Sequence, residues 1–116
     1  EICACLVGSE MCIRDRIVNL YKFLVNEQKE FVMSKQILRS GTSIGANIRE
    51  AEQAQSRADF INKLNIALKE ANETEYWLEL LIRTEYITRE QYESINNDST
   101  EINKLLISII KTTKNN

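Results

Sequence analysis

The residues able to do chemistry are few, and their spacing argues against a reaction centre. Cys3, Cys5 and Cys12 are the only thiols, with C-x-C and C-x6-C spacings, and the chain holds no histidine. This is not a good zinc pattern, since no histidine exists to complete it, and an odd number does not suggest a disulfide framework. Glu70, Glu73, Glu75 and Glu79 crowd one stretch. Paired-iron bundles use such glutamates, but they combine them with Glu-x-x-His motifs, and that half is missing. A solvated or salt-bridged face is the expected use of these acids. Histidine-based triads are excluded on the same ground. "GTSIGAN" at 41–47 has the glycines of a phosphate loop, but it lacks that loop's lysine and follows no strand pattern. The expectation is therefore a chain that is not an enzyme, with no cofactor, metal site or small-molecule substrate.

Charge bounds the binding functions. There are 15 basic and 17 acidic residues, net −2. Residues 1–15 contribute Arg14 against Glu1, Glu10 and Asp15, so the remaining chain has 14 of each and is neutral. A dedicated nucleic-acid binder carries a basic excess. Any phosphate contact would have to be local, with Arg39, Arg49, Lys63 and Lys69 as candidates, joined by Lys104, Lys111 and Lys114 near the end. No apolar run approaches the ~20 residues of a membrane span. The first twelve residues lack the positive lead and long apolar stretch of a signal peptide. No membrane association and a cytoplasmic location are expected.

The stretch "CLVGSEMCIRDR" resembles translated sequencing-adapter DNA, and the chain does not open on methionine. Residues 1–16 are therefore expected to be a non-native or disordered leader, 17–113 the folded domain, and 114–116 a tail.

The elements that must position these residues are helices. The chain has 116 residues, which suits one domain. It has no proline and only three glycines, too few turn formers for an all-β fold. Ile13, Ile17, Leu20 and Leu24 step by four, three and four, with Tyr21 beside them. After "KEFVM", Ser34 is a plausible N-cap, and Ile37, Gly41, Ile44, Ile48 and Ala51 form the next seam. "QSRAD" breaks the pattern, with Ser56 and Asp59 spaced as a capping box. Phe60, Leu64, Ala67, Ala71, Thr74, Leu78 and Leu81 follow, the longest seam. Thr88 and Gln91 form another box, ahead of Tyr92, Ile95, Ser99, Ile102, Leu106 and Ile109, with "NNDS" a polar interruption. The mean spacing of 3.5 residues belongs to knobs-into-holes packing. Short connections make sequence neighbours antiparallel. The predicted fold is all-α, an antiparallel up-down-up-down four-helix bundle. A long coiled coil is the alternative, against which the breaks at 55–58 and 86–90 count.

Gly41 and Gly45 sit inside the second helix, where each costs about 1 kcal/mol relative to alanine. Gly41 lies on the core seam and Gly45 about 40° further round. With Ser40, Ser43 and Ala46 they thin the helix, so a neighbouring backbone can approach and dispersion contacts can offset the lost propensity. Gly41, Gly45, Ile44 and Ile48 are the predicted helix-packing residues. Ser40 and Asn47, which border the seam, are expected to be satisfied structurally.

Residues 34–87 carry the pieces "LRSGTSIGANIREA", "DFINKL", "IALKEANETEYWLELL" and "TEYI". They strongly resemble the four-helix bundle proteins encoded by intervening sequences in bacterial 23S rRNA genes, and 17–33 and 88–116 are compatible. The resemblance implies relatives that assemble as homopentamers. It also implies kinship with the accessory proteins of diversity-generating retroelements, which are basic bundles that bind nucleic acid and a reverse transcriptase. This chain departs from those accessory proteins in being neutral outside its leader.

A second stripe on the third helix, Ile66, Glu70, Glu73, Trp77 and Leu80, lies about 100° from the seam. Large apolar residues off the core mark interfaces, so these five are the oligomer-interface candidates. The plainer alternative is a wide core face that includes them. Their acids would seek Arg39, Arg49, Lys63 or Lys69, within the chain or across subunits. The favoured function is a non-enzymatic, homo-oligomeric structural or assembly module. The alternative is an RNA- or DNA-binding accessory protein.

Overall fold

A computed structural model describes residues 4–115. Four helices follow one another: α1 (Ala4–Asn26), α2 (Met33–Glu52), α3 (Arg57–Arg83) and α4 (Arg89–Lys114). They form a rod of 46 × 21 × 20 Å. α1 packs on α2 and α4, and α3 packs on α2 and α4; neither diagonal pair meets closely. Cross-helix partners run in opposite order along each neighbouring pair. Ser9, Cys12 and Arg16 of α1 reach Glu101, Asp98 and Ser94 of α4. Arg39 and Glu50 of α2 reach Glu70 and Lys63 of α3. Neighbours are therefore antiparallel, as the connections at 27–32, 53–56 and 84–88 require. Gln28 in the first connection donates to the Tyr86 carbonyl in the third, at the same end of the rod.

The core is the set of 3.5-spaced seams. Ile13, Ile17, Leu20, Leu24, Ile37, Ile44, Ile48, Leu64, Leu78, Leu81, Ile102 and Leu106 are buried, with Ala51, Ala67 and Ala71. Three details differ from the expected pattern. Phe60 and Tyr92, which open the third and fourth seams, are half-buried and pack against the core rather than within it. The last seam member of α4 is Ile110, with Ile109 half-buried beside it. "NNDS" causes no break: Ser99 is buried and turned to α3, and α4 runs through unbroken.

Residues 4–16, expected as a foreign or disordered leader, form the first half of α1. There is no break at the expected boundary between 16 and 17, because the apolar register extends backwards: Leu6 and Ile13 are buried. The register places Glu10 in the core as well, 2% exposed. Cys3 lies outside the described residues.

Helix ends show where local chemistry acts. Thr88 and Gln91 form a full capping box. Ser56 accepts from the Asp59 amide, but the Asp59 carboxylate reaches back to Gln55 N rather than to Ser56, so only half the box forms. Ser34 is not the cap of α2. The buried Glu30 carboxylate accepts from the amides of Val32, Met33 and Ser34 at 3.2, 3.0 and 2.7 Å. The Ser34 hydroxyl turns back to the Glu30 carbonyl at 2.8 Å. A carboxylate satisfies several orphan amides together and sits at the positive end of the helix dipole, which a single hydroxyl cannot match.

Candidate functional site: the glycine notch and the helix surfaces

The two glycines face α1. A Cβ built on Gly41 would lie 2.7 Å from Ile17 Cγ2 and 3.0 Å from its Cγ1. A Cβ on Gly45 would overlap the Glu10 carboxylate. Neither glycine has positive φ, so both are required for space rather than for backbone conformation. Ile44 and Ile48, on the same helix, are fully or almost fully buried. Glu10 Oε2 is buried in this notch with no hydrogen-bond partner, an arrangement that costs free energy.

About 100° round α2 from Gly41, Ser40 and Thr74 join α2 to α3 inside the core. Their hydroxyls lie 2.9 Å apart, and each also reaches a carbonyl of its own helix, Ile37 O at 3.3 Å and Glu70 O at 2.8 Å. Asn47 donates to Ser43 O. These polar groups are all satisfied within the bundle.

The stripe Ile66, Glu70, Glu73, Trp77 and Leu80 lies along the α2 side of α3, and all five residues are half-buried. Arg39 bridges Glu70 at 3.4 Å and also pairs closely with Glu73. Trp77 Nε1 donates to the same Glu73 carboxylate at 3.1 Å, and its ring packs on the core. The Arg39 bond, then the Trp77 bond, hold the Glu73 carboxyl below its ordinary pKa, and Glu73 in turn raises Arg39. Tyr76, one residue from Trp77, is 57% exposed and meets the indole edge-on at 4.9 Å.

The four candidate cations divide in two. Arg39 is engaged as described, and Lys63 pairs with Glu50 at 2.9 Å, which raises its pKa. Arg49 and Lys69 are exposed and carry no ion pair among the described residues. Three groups had no clear sequence signal: the Glu30 cap, Glu10 in the notch, and an α3–α4 network. In that network Glu75 Oε2 accepts from Ser99 at 3.2 Å and from Asn103 at 2.6 Å. Contact order along antiparallel helices could have paired Glu75 with Ser99, but only once α4 was read as unbroken. Desolvation, then the Asp98 carboxylate, push the Cys12 thiol up, away from the reactive thiolate. Among the described residues, no group of three or more Cys, Asp or Glu is placed to hold a metal ion. No helix there is long and apolar enough to cross a membrane.

The sequence model of the 23S rRNA-intervening sequence protein family matches residues 9–108, nearly the whole bundle. The chain belongs to this family. A crystal structure of a Bacteroides thetaiotaomicron protein of the S23 ribosomal protein family, described as of unknown function, is 90% identical. The likeness covers 91% of this chain and 95% of that one, with a TM-score of 0.90. No curated protein matches the sequence. Membership in the 23S rRNA-intervening sequence family agrees with the four-helix architecture and leaves the biochemical role to be argued from the surface.

Proposed function

We propose that this family member is a non-enzymatic structural module that works as a homo-oligomer. The observation that carries the reading is the exposure of large apolar side chains on a chain whose core is already closed. Tyr76 is 57% exposed, Ile107 52%, Phe31 52% and Val32 72%. Phe31 and Val32 are adjacent in the first connection and Tyr76 meets Trp77 edge-on, and apolar groups gathered in this way mark contacts with other proteins. A second copy of the chain is the partner always available. The half-buried stripe ending in Trp77 and Leu80 adjoins Tyr76 and extends the apolar surface. Light scattering across protein concentration tests the proposal. The expected result is a mass that is a multiple of 13.4 kDa; a monomer at every concentration overturns it.

A second reading is supported by Arg49 and Lys69, exposed and without an ion pair among the described residues: the chain would contact RNA or DNA phosphates through them. Binding of 23S rRNA fragments would then fall steeply with salt, and a chain with Arg49→Glu and Lys69→Glu would lose it. An absence of binding at low salt removes this reading.

A further inference from the structure

We propose that the groove between α3 and α4 is a two-fold docking surface for a second copy of this chain, which rests on the homo-oligomer reading and gives it a surface. The groove has two unlike ends. Toward the start of α4, a hollow of about 340 Å³ is lined by Asn72, Glu75, Tyr76, Glu79, Tyr92 and Asn96. It combines two carboxylates, two phenol rings and two amides, and no lining residue is basic. Among the described residues, Glu75 is held by the neutral donors Ser99 and Asn103 and by no cation. Glu79 meets Arg83 at 3.1 Å, with both side chains exposed, a pairing of little strength. Toward the end of α4, a hollow of about 250 Å³ is lined by Asn65, Leu68, Ile107, Ile110, Lys111 and Lys114. It is apolar with two lysines at its edge, and no lining residue is acidic.

These ends are complementary to each other, and they lie on one face. At about 1.5 Å rise per residue, Asn96 and Lys111 are separated by roughly 22 Å along α4. A two-fold axis crossing the groove near Asn72 and Asn103 would exchange the ends. Lys111 and Lys114 of one copy would meet Glu75, Glu79 and the rings of Tyr76 and Tyr92 of the other. Each contact would be made twice, as an isologous interface requires. Ammonium groups over phenol rings and beside carboxylates gain both cation–π and ionic attraction. The exposed Tyr76 and Ile107 would be covered in the same event. A bundle face of 46 × 21 Å is large enough for the roughly 800 Å² per partner of a standard interface. Such a contact joins copies in pairs. A ring built through another face would be doubled by it.

The test is a charge exchange in the full chain, read by sedimentation velocity. Residues 79, 111 and 114 are exposed, so the variants should keep the fold, which circular dichroism checks. Lys111→Glu with Lys114→Glu should weaken association by about tenfold or more, and Glu79→Lys should weaken it too. A chain carrying all three substitutions keeps Glu75 acidic but again sets opposite charges at positions 79 and 111/114, and it should regain part of the association that the Lys111→Glu, Lys114→Glu pair loses. If the wild type assembles and the variants assemble equally well, the groove is excluded while the homo-oligomer reading stands. If the combined chain fails to re-associate, the end-to-end pairing is wrong. A wild type that stays monomeric removes both readings.

Discussion

A Cβ on Gly41 would stand 2.7 Å from Cγ2 of Ile17. Ile17 is fully buried and β-branched, and the atoms it presents to Gly41 are those nearest its backbone. It cannot swing away without moving α1. The gain in helix propensity from Gly41→Ala is about 1 kcal/mol, and overpacking costs about 1–3 kcal/mol. Because the contacts at 2.7–3.1 Å are with atoms next to the Ile17 backbone, the cost should reach the upper part of that range and the melting temperature should fall. A level or raised melting temperature would show that α1 can retreat freely.

Gly45→Ala should behave oppositely. The group it meets is the far end of a flexible Glu10 side chain whose Oε2 has no partner. Displacing that carboxylate toward water relieves a buried unsatisfied group, and the helix gains its ~1 kcal/mol. The melting temperature should stay level or rise. A fall as large as that of Gly41→Ala would mean that the Glu10 carboxylate is firmly placed.

Glu30 caps α2 through three amides. Glu30→Ala leaves them without this acceptor and should cost about 1–2 kcal/mol. Glu30→Gln, which keeps an acceptor without the charge, should lie between. Chemical denaturation measures both. If Ser34→Ala costs more than Glu30→Ala, the hydroxyl is the true cap.

The seams were legible in the sequence because a 3.5-residue period reports burial directly. Gly41 was legible because glycine inside a strong helix has a propensity cost that some contact must offset. The cap was not: Ser34 has the preferred residue type, but Glu30 reaches the same amides from within the connection. Ile109 and Ile110 are adjacent and equally apolar, so periodicity alone could not choose between them. The stripe from Ile66 to Leu80 is a boundary case, since half-burial against α2 gives a wide core face an interface-like composition. Tyr76, more exposed than Trp77, lay outside both stripes and had no periodic signal.

Glu73 links stability to pH. Arg39, then Trp77, hold its pKa down in the folded chain. A carboxylate of this kind adds stability that is complete above its unfolded value, about 4.3, and is lost as pH falls through the lower folded value. The effect is small because the side chain is partly solvated. Glu73→Gln should therefore melt below the wild type near neutral pH, and the gap should close as pH falls through the lowered folded value of Glu73. A gap unchanged between those conditions would place the effect in packing around Trp77 instead of in the charge.

The proposed self-association is decided by sedimentation equilibrium of the wild-type chain. The expected mass is a whole multiple of 13.4 kDa at high concentration, falling as the sample is diluted or salt is raised. A mass of 13.4 kDa at the highest attainable concentration would contradict it.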